Sequence, residues 1–148
     1  MLSLVCAPVC ASAQSYPGVG LEVGDPHVLP LVIKDLPPAA VRLGITVERI
    51  REAMEIRLRQ AGIQPESEAL RDYCLVIHLR VAGPSVQSSI QFVRTVTYKV
   101  KAISYVVVAP TWQTARMDPD QDDPGRILSG LESLLDRFLE DFQSANHS

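Results

Sequence analysis

Apolar residues in this chain repeat in two different rhythms, and the rhythm changes mark the elements. "VLPLVIKDL" over residues 28–36 is a short, β-rich apolar run closed by Pro37 and Pro38, which predicts a buried strand. In "GITVERIREAMEIRLRQAGI", Val47, Ile50, Met54, Leu58 and Ala61 recur at helical spacing, so a helix is predicted. Thr46 suits its N-cap, Gly62 its stop, and Arg51–Glu55 and Glu55–Arg59 are i,i+4 pairs on its wet side.

The rhythm then shortens to two. Tyr73, Leu75, Ile77, Leu79 and Val81 form one face of a strand, with Cys74, His78 and Arg80 on the other. Gly83-Pro84 marks a turn. "SIQFVRTVTYKV" alternates in turn: Ile90, Phe92, Val96, Tyr98 and Val100 against Gln91, Thr95, Thr97 and Lys99. Parity slips at Ala102, which predicts a tight turn or bulge near residues 101–104, and "SYVVVAPTW" follows as another β run. The last run places Ile127, Leu131, Leu134, Leu135, Phe138 and Phe142 on one stripe of a helix. The order is β-α-β-β-β-α. It predicts an α+β fold with a mostly antiparallel sheet, two helices on one face, and a polar opposite face carrying His78, Arg80, Thr95, Thr97 and Lys99.

Composition narrows the class. The 148 residues suit one domain, at 29–146, and 47% hydrophobic against 21% charged residues is a globular balance. With a net charge of −3 and no basic block, the chain lacks the means to displace counterions from phosphates, so nucleic acid is not an expected partner. No Asp, Glu, Lys or Arg precedes Glu22. "MLSLVCAPVCASAQ" reads as the remnant of a secretory signal over residues 1–13, with Ala11-Ser12-Ala13 as the small-x-small cleavage pattern. It is too short to span a bilayer, and no other run is long enough for a transmembrane helix. Residues 14–28, rich in Gly and Pro, read as a flexible lead-in. The implied location is periplasmic or secreted. Removal of Cys6 and Cys10 with the signal leaves Cys74 alone, as a small buried hydrophobe without a disulfide partner.

Candidate chemistry is sparse. In "RMDPDQDDPG", Asp118, Asp120, Asp122 and Asp123 crowd before the last helix. Asp123 before Pro124 is an N-cap signature, and the other carboxylates would gather at the positive end of the helix dipole. An EF-hand loop counted from Asp118 needs Gly at its sixth position and Glu at its twelfth, where Asp123 and Ser129 stand. That pattern fails, and a weaker calcium loop of another kind stays open. His27, His78 and His147 show no metal spacing, and no catalytic or nucleotide-binding motif is present, so neither a metal nor a cofactor is expected.

Partner contact rests on two features. Arg94 lies on an apolar strand face between Phe92 and Val96, where a charge must be paired or sit at the sheet's edge. A salt bridge to Asp136 or Glu132 is the structural reading, and anion binding the functional one. Glu132, Asp136 and Glu140 repeat at i, i+4, i+8 on the last helix and form an acidic stripe that a basic partner could meet. The favoured reading is a non-enzymatic module that binds an envelope protein or other envelope component, by a strand edge or the polar sheet face. The alternative is a hydrolase-like enzyme with a site near Arg94 and the 118–123 loop.

Short motifs carry a resemblance. "GITVERIREAMEIRLRQAGI", "FVRTVTYKV", "APTWQT" and "LLDRFLEDFQSAN" resemble a group of small exported bacterial proteins of unknown function, over most of residues 30–146. The element order is similar to the anticodon-binding-like fold of envelope modules such as the TolB N-terminal domain. The resemblance implies an exported α+β module and brings no activity with it.

Overall fold

A computed structural model describes residues 20–66, 72–119 and 123–147. It is an α+β fold: a five-stranded sheet with its helices on one side. The elements are β1 (Val28–Ile33), α1 (Pro38–Arg42), α2 (Val47–Gln60), β2 (Gln64–Glu66), β3 (Tyr73–Ala82), β4 (Ser85–Val100), β5 (Ile103–Asp118) and α3 (Pro124–Asn146). The sheet runs β2-β1-β3-β4-β5. Its long ladders, β3–β4 and β4–β5, are antiparallel, while β1 pairs in parallel with β2 and with β3.

Two short elements join the expected order. α1 starts at Pro38, a position where the missing N–H costs nothing. β2 has only three residues and contains Pro65, which an edge strand tolerates. Neither is long enough to show a period. α2 forms as its pattern predicts, with the Thr46 hydroxyl accepting from Arg49 N at 3.2 Å and Gly62 leaving the helix at φ 78°.

Both helices cover the same side of the sheet. Ile50, Met54 and Leu58 of α2 and the entire predicted stripe of α3 are buried in one core with Leu75, Ile77, Ile90 and Phe92. Aromatic rings fix α3 to β4 and β5. Phe92 and Phe138 stack with centroids 5.8 Å apart, Phe138 and Phe142 at 5.2 Å, and Trp112 meets Phe138 edge-on at 5.3 Å. Each such pair adds about 0.5–1.5 kcal/mol beyond area burial.

The described part of the lead-in packs against the core. Leu21 is fully buried. Asn146 at the end of α3 clasps this strand of chain, donating to Leu21 O at 3.0 Å and accepting from Val23 N at 3.0 Å. Gly and Pro signal irregular backbone, and irregular backbone can still pack when side-chain amides satisfy it.

Candidate functional site

β4 and β5 outrun the rest of the protein. Each has sixteen residues, roughly 50 Å at strand rise. α3 has 23 residues, roughly 35 Å at helical rise, and β3 stops at Tyr73, opposite Arg94. Past that point the hairpin continues as a two-stranded arm, 95–100 paired with 103–108, roughly 20 Å long. Its turn is Lys101-Ala102, where the parity slip placed it, with Lys101 at φ 56°.

The arm is apolar and, among the described residues, uncovered. Val96, Tyr98, Val100, Ile103, Tyr105, Val106, Val107 and Val108 are between 37% and 69% exposed. Val96, Tyr98 and Val100 continue the parity of Phe92, and their partners Val107, Tyr105 and Ile103 complete an apolar face on the helix side. The opposite face carries Thr95, Thr97 and Lys99 beside Val108, Val106 and Ser104. The three β4 residues expected on the polar sheet face have the expected parity, but they stand on the arm and not over the body. The strand pattern gave the faces correctly and was silent on where the helices end.

A joint built from three directions holds the base of the arm. The register slips between Phe92 and Val93, leaving Thr111 as the extra residue of a bulge on β5. Thr111 Oγ1 donates to Gly20 O at 2.8 Å, and Arg94 Nη1 donates to Glu22 O at 2.8 Å and to Gly20 O at 3.3 Å. Gly20 has φ 84°, and a Cβ there would stand 2.9 Å from Thr111 Cβ. The expected Arg94 salt bridge to Asp136 or Glu132 therefore does not form: carbonyls of the lead-in satisfy the guanidinium.

Asp136 is engaged elsewhere. Arg57 of α2 holds it with both Nε, at 2.6 Å, and Nη2, at 2.5 Å. Asp136, by hydrogen bond and by charge, keeps the Arg57 guanidinium above its ordinary pKa, with Glu132 adding a smaller contribution. Glu132 is half-buried and Glu140 exposed, so the acidic stripe runs along the border of α3 with α2. Arg94 is not part of that stripe.

The aspartate cluster divides. Asp123 is the N-cap of α3, accepting from Arg126 N at 3.2 Å. Asp120 and Asp122 lie outside the described residues. Asp118 is not part of the helix start: it closes β5, is 2% exposed, and is held by Arg116 at 3.0 Å. Its other oxygen, Oδ2, and the buried Ser88 Oγ have no hydrogen-bond partner among the described residues. Among the described residues no group of three or more His, Cys, Asp or Glu is placed to hold a metal ion. Arg94 pairs with Ala109, nine positions before Asp118 on the same strand, so roughly 30 Å separates Arg94 from Asp118.

The open side of the sheet offers a shallow polar recess lined by His78, Arg80, Gln87, Ser89, Gln91 and Gln113. Burial holds the His78 imidazole below its ordinary pKa of 6.5, and the charges of Lys34 and Arg80 push the same way. Burial likewise raises the Cys74 thiol above its ordinary 9.0, which makes it a sluggish nucleophile. A second hollow, of about 210 Å³, lies between the ends of α2 and α3 beside Pro26 and Ile63. Among the described residues, no helix is long and apolar enough to cross a membrane. The sequence matches no protein-family model, and no curated protein matches it.

Proposed function

We propose that this chain is an exported, non-enzymatic accessory module of the bacterial envelope, and that the arm is the element with which it grips its partner. One observation carries the reading. Eight large apolar or aromatic side chains on a two-stranded projection stand 37–69% exposed, with no helix of the described residues over them. Soluble proteins rarely leave a contiguous apolar patch of that extent unless it meets something. A strand edge with unpaired main-chain groups supplies the complementary means, since an added strand gains hydrogen bonds along its length and side-chain pockets on both faces. The anchored base suits this role, because Arg94, Thr111 and the lead-in fix the direction in which the arm leaves the body.

The signal-like residues 1–13 and the motif resemblance support an envelope location. Sparse chemistry supports binding over catalysis: of the residues weighed for an enzymatic site, Arg94 on β4 and Asp118 on β5 stand far apart along the β4–β5 ladder.

Photo-crosslinking in intact bacterial cells tests the proposal. A photo-reactive phenylalanine replaces Tyr98 on the arm or, as a control, Glu48 on the exposed side of α2. The expected result is discrete adducts from position 98 that position 48 does not give. The same adducts from both positions, or none from position 98, would overturn the reading.

A further inference from the structure

We infer that the partner of the arm is a second copy of this chain, joined along the outer edge of β5 about a two-fold axis at Val106. The inference rests on the reading of the arm as a docking element and gives it an occupant.

The two edges of the arm are not equivalent. On the β4 side, Lys99 places a charge on the edge, the usual device against unwanted pairing. On the β5 side no charged residue occurs from Ile103 to Ala115. Pro110 and the bulge at Thr111 interrupt this edge at the base, so the stretch open to pairing is 103–109.

Hydrogen-bond alternation then fixes the register. The two-residue turn closes on the pair Val100↔Ile103, which is a hydrogen-bonded pair in such hairpins. Main-chain groups of Ile103, Tyr105 and Val107 therefore face β4, and those of Ser104, Val106 and Val108 face outward. The same alternation turns Thr95 N, opposite Val108, away from β5, and it donates to Asp72 O at 2.7 Å. An antiparallel copy centred on Val106 sets Val106 against Val106 and Ser104 against Val108, so every outward group of the stretch is paired. Moving the centre to Val108 would put Val106 opposite Pro110, which has no N–H. Moving it to Ser104 would put Val106 opposite Ala102 in the turn.

The side chains agree with that register. Residues of like parity share a face across the junction, so Val106 meets Val106 on one face, and Tyr105 meets Val107 on the other. The tip of each arm arrives beside the base of the other. The side chains that flank the junction, Ile103, Tyr105, Val106, Val107 and Val108, are 38–69% exposed, and pairing with a copy withdraws apolar surface of both chains from water. Assembly stops at two copies. Among the described residues the remaining open edges are the β4 side of the arm, which carries Lys99, and β2, three residues long with Pro65 at its centre.

Sedimentation equilibrium of the full chain at tens of micromolar tests this, with two variants at the axis. A hydrogen-bonded antiparallel pair has Cα atoms about 5.5 Å apart, within disulfide reach. In a chain with Cys6, Cys10 and Cys74 changed to Ser, Val106→Cys is expected to give a covalent dimer on mild oxidation, and Thr97→Cys on the opposite edge is not. Val106→Lys brings two like charges together and is expected to weaken the dimer at least 100-fold. Its far-UV circular dichroism should stay unchanged, since Val106 is 67% exposed. A monomeric full chain overturns the inference, as does a dimer that Val106→Lys leaves intact. A monomeric full chain alongside a dimeric chain starting at Gly20 would put residues 1–19 on the edge instead, which also overturns it. If the chain is monomeric and position 98 still gives adducts with another protein, the dimer fails and the docking reading survives. If both are negative, both fail.

Discussion

Tyr98 and Tyr105 stack across the arm, their ring centroids 5.2 Å apart and their planes 16° from parallel. They are 45% and 41% exposed, so this contact holds together a part of the protein that lies outside the core of the described residues. An aromatic pair is worth about 0.5–1.5 kcal/mol.

Tyr98→Ser should therefore loosen the arm and leave the body alone. In the Val106→Lys background, which removes self-association, amide exchange at the arm's cross-strand bonds should quicken roughly 2- to 10-fold. The global unfolding midpoint should move little, because the arm opens locally. Exchange unchanged at the arm, or a midpoint that falls by many degrees, would show the arm to be part of the cooperative unit.

Arg94 makes a different contribution, to the joint and not to the arm. Arg94→Met keeps the side-chain stem and removes the donors to Gly20 O and Glu22 O. A loss of about 1–2 kcal/mol is expected. Limited proteolysis should then cut within residues 20–23, which Arg94 and Asn146 hold in place in the native chain. If cutting there stays as slow as in the parent, Asn146 and Leu21 alone are the anchor.

Ser88 offers a gain in stability. Its hydroxyl is fully buried, between the buried Val86 and Ile90 of the same strand face, with no hydrogen-bond partner among the described residues. Removing an unsatisfied buried hydroxyl removes its desolvation cost. Ser88→Ala should raise stability to chemical denaturation by up to about 1 kcal/mol with an unchanged denaturant slope. A loss would mean that the hydroxyl is satisfied in solution by an ordered water.

The core was legible in the sequence because it is periodic. Met54, Phe92 and Phe138 each sit in a run whose spacing names their buried face, and one side of the sheet receives all three. The Lys101-Ala102 turn was legible from the parity slip alone. What the pattern could not carry is length and partnership. Val96 and Phe92 have the same parity and look alike as sequence, yet α3 covers Phe92, and Val96 stands 37% exposed beyond the helix's end. Arg94 stood out correctly as a charge needing a partner. The partner is main chain from a stretch that composition marks as loop, and backbone carbonyls leave no signature in a sequence. Asp118 was misplaced for a related reason: its neighbours Asp120, Asp122 and Asp123 suggested a helix start, while pairing with Val86 carries the strand through to it.

His78 gives the protein a pH dependence that can be worked out in sign. Its imidazole titrates below 6.5 in the folded state because burial, Lys34 and Arg80 all disfavour the charged form. The unfolded chain then binds more protons than the folded one between the folded pKa and about 6.5. The contribution of His78 to stability is thus fully present above about 6.5 and is lost as pH falls through the folded pKa. His78→Gln cannot titrate, so its unfolding free energy should fall less steeply with acid across that window. Lys34→Gln, which removes one of the two repelling charges, should lie between the variant and the parent. Denaturant melts from pH 7.5 to 5 would check the order. Equal slopes for parent and His78→Gln would mean that this imidazole is hydrated in the folded protein much as it is in the unfolded chain.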